Sequence, residues 1–259
     1  MGPGIGAVMS ARAGGISPAP FDAFNVGDHV GDDPAAVAAN RQQFAEWIGV
    51  APVWMRQVHG NRVLRLRASA AQAGEGAQLE EADGALCTEP GVACAVMVAD
   101  CLPILLAAPG GGGVAALHAG WRGLCGAGDM AGHGIAEAGV AALCEAASCE
   151  SHELRAWLGP CIGPQQFEVG ADVLAGFGVD AAMASARFRP RTARDPSLSP
   201  KWLADLPGLA HDRLLALGLR PELVSAAATC TVSESSRFFS FRRDAITGRQ
   251  VACIWVEQR

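Results

Sequence analysis

Val96-Met97-Val98-Ala99-Asp100-Cys101-Leu102-Pro103-Ile104-Leu105-Leu106, followed across a glycine-rich turn by Val114-Ala115-Ala116-Leu117-His118-Ala119-Gly120-Trp121-Arg122-Gly123, is the stretch that decides the fold. Both parts are short, continuous apolar runs bounded by turn residues, the pattern of strands buried on both faces. If the two are antiparallel, a hairpin centred between Pro109 and Gly110 pairs Leu105 with Val114 and Cys101 with His118. Directly opposed Cβ atoms lie about 4.5–5.5 Å apart, so a thiol and an imidazole there can converge on one ion. Such a donor pair suits zinc or copper better than magnesium, which prefers oxygen.

A third ligand is needed. His59, in Arg56-Gln57-Val58-His59-Gly60, interrupts a strand pattern running from Val53 to Leu66 and can be turned toward a site. Three protein ligands leave a fourth tetrahedral position open, the arrangement of a hydrolytic rather than a structural centre. The same residues also fit a plainer reading, in which Cys101 is an inert core thiol and His118 a satisfied buried imidazole. Asp100 has two readings as well. It either caps local backbone amides at a strand kink or moves protons and orients a histidine.

Outward from this stretch, Asp33-Pro34 introduces an amphipathic helix over 35–48, and a short apolar stretch from Ala7 to Arg12 leads into Ala13-Gly14-Gly15. Residues 120–147 read as a buried helix, 154–158 as a strand, 186–200 as a loop, 201–217 as a helix and 250–256 as a closing strand. Strands clustered in pairs, with helices between the clusters, predict α+β layers rather than a doubly wound parallel sheet. Residues 68–82, rich in Ala, Gln, Gly and Glu, read as a surface insertion.

The chain has 259 residues and a formal charge of −6, and Lys201 is its only lysine. A nucleic-acid groove needs clustered basic residues, so nucleic acid is excluded as a partner. Arginine can still hold one phosphate through its planar fork. No apolar run reaches the 18 residues of a membrane span, and the N-terminal residues lack the charged and apolar regions of a secretory signal. Nine cysteines without a C-x-x-C pair point to reduced thiols in a cytoplasmic protein.

Together, Ser10-x-Arg12-x-Gly14-Gly15, Arg56-Gln57-Val58-His59-Gly60, Ala99-Asp100-Cys101-Leu102-Pro103, His118-Ala119-Gly120-Trp121-Arg122-Gly123, Gly159-Pro160-Cys161-Ile162-Gly163-Pro164 and Phe238-Phe239-Ser240-Phe241-Arg242-Arg243-Asp244, with Thr247-Gly248-Arg249 after it, span nearly the whole chain. They resemble the multicopper polyphenol oxidoreductase (laccase) domain family, also described as purine nucleoside phosphorylase and adenosine deaminase enzymes.

The resemblance implies one α/β/β/α layered domain of mixed sheets over residues 1–259, and a monomer is expected. It implies zinc held by His59, Cys101 and His118, or copper on the family's older name. Its implied reactions are phosphorolysis of adenosine, inosine and methylthioadenosine, and deamination of adenosine. Purine nucleosides and phosphate are then the partners. Arg12, Arg242 and Arg243 become the phosphate binders, Asn25 a pocket residue, and Asp100, ahead of Glu168, the proton carrier.

Two departures stand out. Phe241 occupies a position where many relatives carry Tyr or His, and the 68–82 insertion carries no family motif. The His-x-Glu and Pro-Cys-x-x-Cys signature of the common zinc deaminases is absent, so shared deamination chemistry would be convergent. Three rival functions remain: a cysteine hydrolase with a Cys101/His118 dyad, a copper phenol oxidase, and a non-enzymatic factor in cell-wall assembly.

Overall fold

The apolar run from Val92 to Ala107 is two strands in two different sheets. Between them, at Ala99-Asp100-Cys101, the chain crosses from one layer to the next with Asp100 at a φ of 92°. The structure, a computed structural model, describes residues 1–68, 80–183, 185–191 and 199–258.

In chain order the elements are β1 (Ile5–Met9), α1 (Pro34–Ile48), β2 (Ala51–Val53), β3 (Val63–Arg65), β4 (Gly84–Cys87), β5 (Val92–Val98), β6 (Leu102–Ala107) and β7 (Val114–Ala119). Then come α2 (Trp121–Cys125), α3 (Ile135–Ala147), β8 (Arg155–Leu158), β9 (Glu168–Val169), α4 (Ala171–Gly176), β10 (Phe188–Arg191) and β11 (Lys201–Ala204). The chain finishes with α5 (Leu206–Ala216), β12 (Val224–Ala226), α6 (Phe241–Asp244) and β13 (Gln250–Val256).

Four strands form a mixed sheet in the order β1-β13-β5-β2, and six form a second in the order β12-β8-β6-β7-β4-β3. The two sheets pack face to face through Cys94, Val96, Ala252 and Ile254 on one side and Leu105, Ala107, Val114 and Ala116 on the other. Helix α1 covers the outer face of the four-stranded sheet, burying Phe44 against Ala93, Ala95, Met97, Val251 and Cys253. Helices α3 and α5 cover the outer face of the six-stranded sheet through Ile135, Val140, Leu143, Leu209 and Leu214. The layers therefore stack α/β/β/α, as expected, with a small third sheet, β10-β11-β9, at the side.

Local chemistry explains the element ends. Asp33 accepts a hydrogen bond from the Ala35 amide at 3.0 Å and Pro34 follows at the first helical position, while Gly49, at φ 69°, ends α1.

The hairpin register differs from the sequence expectation. Leu102 pairs with Ala119, Pro103 with His118 and Ala107 with Val114. The turn is centred one position later than predicted, between Gly110 and Gly111, because Pro109–Gly111 coils into a short 3-10 turn closed by the Gly112 amide donating to the Pro109 carbonyl at 3.1 Å, inside a hairpin bond from Ala108 to the Gly113 carbonyl at 2.9 Å. His118 therefore lies opposite Pro103, and Cys101 reaches it diagonally from the strand's mouth. The correction preserves the face, because the offset in pairing is two residues and side chains alternate with a period of two.

Three other segments are corrected. Residues 120–147 hold two helices, α2 and α3, separated after Gly126 at φ 68°. Residues 201–217 begin as strand β11, where Trp202 and Ala204 are buried in alternation, and turn helical only past Asp205, whose carboxylate accepts from the Gly208 amide. In the expected loop 186–200, Phe188–Arg191 is a strand paired with β11, and 192–198 lie outside the described residues. Of the 68–82 insertion, 69–79 lie outside the described residues, whereas Glu81 bridges to Arg56 and Ala82 is fully buried.

Candidate metal centre

Two crossings between the large sheets position two of the three candidate ligands. The chain leaves β2 in the four-stranded sheet and enters β3 in the six-stranded one, and His59 sits in that passage. It makes the second crossing at Ala99–Cys101. His118 comes from the end of β7, so all three side chains meet at one edge of the sheet interface. Their ligating atoms lie within 4.8 Å of one another, and this is the one such group found among the described residues.

The Cys101 Sγ stands 3.7 Å from the His59 Nε2, and the two imidazoles meet edge to face with ring centroids 4.8 Å apart. His118 is buried and His59 exposed, so the cluster opens to solvent on the His59 side. Soft sulfur with two imidazole nitrogens is a donor set that zinc accepts, and three protein ligands fit a centre with one open position.

The protons of the pair are coupled. Burial alone would push the Cys101 thiol up, but the charge and hydrogen bond of His118, with a further bond from His59, bring it down to about 6. Burial likewise opposes charge on His118, yet Cys101 and Asp83 hold its pKa up at about 9. Each group thus favours the charged form of the other.

Asp83 is the residue that sequence reasoning missed. One step beyond the β4–β7 register, in which Gly84 pairs with Leu117, it faces His118 across the sheet. Its carboxylate accepts from His118 Nδ1 at 2.8 Å and from the amides of Val58, His59 and Gly60 at 3.1, 2.9 and 2.6 Å. Burial would raise its pKa, but these donors lower it, led by His118. An acid directly before an apolar strand, in Ala82-Asp83-Gly84, was the available signal.

The glycines of His118-Ala119-Gly120-Trp121-Arg122-Gly123 have a packing reason. A Cβ on Gly120 would lie 2.7 Å from His59 Cδ2 and 3.1 Å from Cys101 Sγ, and one on Gly123 would lie 2.9 Å from the Gly60 carbonyl. Backbone must therefore press directly against the His59 passage.

Asp100 is buried, and its carboxylate accepts from Thr231 Oγ1 at 2.6 Å, Ser240 Oγ at 3.0 Å and the Arg242 amide at 2.6 Å. Asn25 is fully buried, accepting from the Gly27 and Arg249 amides and donating to Asp32. Arg12 donates to the Asp22 and Ser235 carbonyls and lies over Phe239. Arg243 donates to the Thr231, Val232 and Phe238 carbonyls and pairs with Asp244. Arg242 is exposed, donating to the Glu168 carbonyl over the Phe167 ring. Arg249, from the Thr247-Gly248-Arg249 motif, feels the charges of Cys101 and Asp100, and burial lowers its pKa.

The profile of a family described as multi-copper polyphenol oxidoreductase laccase matches residues 6–257. The chain belongs to this family. Among its relatives, the purine nucleoside phosphorylase YfiH of Shigella flexneri is 42% identical over 98% of this chain and 94% of its own. A purine nucleoside phosphorylase of Pseudomonas aeruginosa is 40% identical over the same shares. A solved Neisseria meningitidis structure superposes with a TM-score of 0.84 at 35% identity, covering 99% of this chain and 96% of that one. YlmD from Geobacillus stearothermophilus gives 0.85 at 31% identity, covering 99% and 93%. The fold is thus shared with these solved structures. Among the described residues no helix is long and apolar enough to cross a membrane.

Proposed function

We propose that the chain is a zinc-dependent purine nucleoside phosphorylase acting on adenosine, inosine and methylthioadenosine, with deamination of adenosine at the same centre. The observation that carries this reading is the solvent-open His59, Cys101 and His118 cluster, in a chain whose relatives are named purine nucleoside phosphorylases. We take residues 1–259 as one domain and the protein as a cytoplasmic monomer, in keeping with nine free cysteines.

Zinc held there would supply Lewis acidity to an oxygen or nitrogen atom of the substrate. The protein's own groups do the rest. Cys101 contributes negative charge, and His118 and His59 fix direction. Phosphate is assigned to the arginine face of the site. Arg12 and Arg243 donate from Nε, Nη1 and Nη2 to carbonyls and carboxylates, whereas Arg242 and Arg249 donate to carbonyls from Nη1, so the latter two are better supplied with spare donors. Asp100 is assigned proton transfer, with the Ser240 and Thr231 hydroxyls that donate to its carboxylate as relay partners. Asn25 is assigned the pocket wall through the backbone of Arg249.

The test is product analysis. Metal-analysed protein incubated with adenosine should release adenine only when phosphate is present, and inosine with or without it. Absence of both products sinks the reading.

The closeness of Cys101 to His118, with each favouring charge on the other, supports one second reading, a cysteine hydrolase. Chelation separates the two, since a dyad keeps its turnover when zinc is withdrawn. A multicopper centre draws no support from the side chains, because the described residues hold one three-ligand group.

A further inference from the structure

We propose that Asp83 is the positioning residue of the metal centre, setting the orientation of both histidines from one carboxylate. The inference rests on reading His59, Cys101 and His118 as metal ligands. All four partners of the Asp83 side chain are donors: the His118 imidazole and three consecutive amides, Val58, His59 and Gly60. Successive amides converging on one anion form a nest, and here the anion is a side chain of the same protein. Since each partner donates, no acceptor is left for a protonated acid or an amide at position 83.

Two consequences follow for the ligands. On His118, the Nδ1 proton is committed to Asp83, which leaves the Nε2 lone pair as the one available to an ion. On His59 the control runs through backbone. Its φ of 61° is a conformation that a residue with a Cβ adopts only when surroundings hold it, and the nest bonds on its own and flanking amides do so. Asp83 is itself fully buried and its backbone carbonyl accepts from the His118 amide at 2.7 Å, so carboxylate, strand and ligand move as one unit.

The experiment measures zinc affinity by chelator competition and the absorption spectrum of the cobalt(II) form, for wild type and Asp83→Asn. The expected result is a 10–100-fold weaker zinc affinity in D83N, with cobalt ligand-field bands shifted in position and intensity. Equal affinity and an unchanged spectrum in D83N, with wild type binding zinc, would overturn the proposal. Failure of wild type to bind either ion would instead remove the metal-centre reading beneath it.

Should D83N not fold, the wild-type protein decides through long-range proton–nitrogen correlations of its imidazoles in the zinc form. A proton on His118 Nδ1 with Nε2 coordinated supports the proposal. A proton on Nε2, or coordination through Nδ1, refutes it.

Discussion

Asp83 lies directly across the sheet from His118 and holds its Nδ1 at 2.8 Å, so the buried histidine is aimed by the neighbouring strand β4 rather than by the hairpin partner β6. The cysteine reaches the same point from a crossing between sheets. The centre is therefore a junction of three separately constrained segments, and each constraint can be relaxed alone.

The tightest of these is backbone contact. Gly120→Ala places a methyl 2.7 Å from the His59 ring and 3.1 Å from Cys101 Sγ. It should weaken zinc binding by about tenfold or more, in the range seen when ligand supports are lost, with little change in circular dichroism. Chelator competition measures it. Zinc affinity equal to wild type would mean that the His59 passage yields.

Thiol reactivity carries the pH dependence. In the metal-free protein, Cys101 has its pKa lowered to about 6 against the upward push of burial, chiefly by His118. Its alkylation rate by iodoacetamide should rise through pH 6 and level off well below the ordinary thiol range. Removing the opposing charge in His118→Ala lets burial win, moving the rise above pH 9. Zinc should protect the thiol throughout. A wild-type profile with its midpoint near 9 would contradict the coupling.

The core can be probed on the strand that carries His118. Leu117 is fully buried between β4 and α3, with Gly84 and Gly139 packed against its side chain. Leu117→Ala should cost about 2–5 kcal/mol in denaturant unfolding. A loss below about 1 kcal/mol would show the layer to be less tightly filled than the structure has it.

Much of this was legible in the chain. The apolar runs marked β5, β6 and β7 and Asp33-Pro34 marked α1, because burial on both faces and helix capping leave local signatures. The three side chains that the structure brings together, His59, Cys101 and His118, were named from residue types and family blocks. What escaped were relations between distant segments. The register depended on a 3-10 turn that periodicity does not encode, and β5 and β6 looked continuous because both are fully apolar although they lie in different sheets. Asp83 gave little local signal, since its role consists of partners at 58–60 and 118. Residues 201–204 read as helix because their buried Trp202 and Ala204 merged with the apolar spacing of α5.

The arginines divide into two groups. Arg243→Ala removes donors from three carbonyls and Asp244 and should lower stability by about 1–3 kcal/mol, the scale of lost charged hydrogen bonds. Arg249→Ala should leave the fold and zinc content intact and raise KM for phosphate. Thermal unfolding and initial rates at varied phosphate test the pair. The reverse pattern would move the phosphate site.

Zinc stoichiometry bears most directly on the central claim. Wild-type protein loaded with zinc and dialysed should retain one ion per chain by elemental analysis, and Cys101→Ala and His118→Ala should retain none while remaining folded. Equal zinc in wild type and both variants would contradict a centre built from His59, Cys101 and His118.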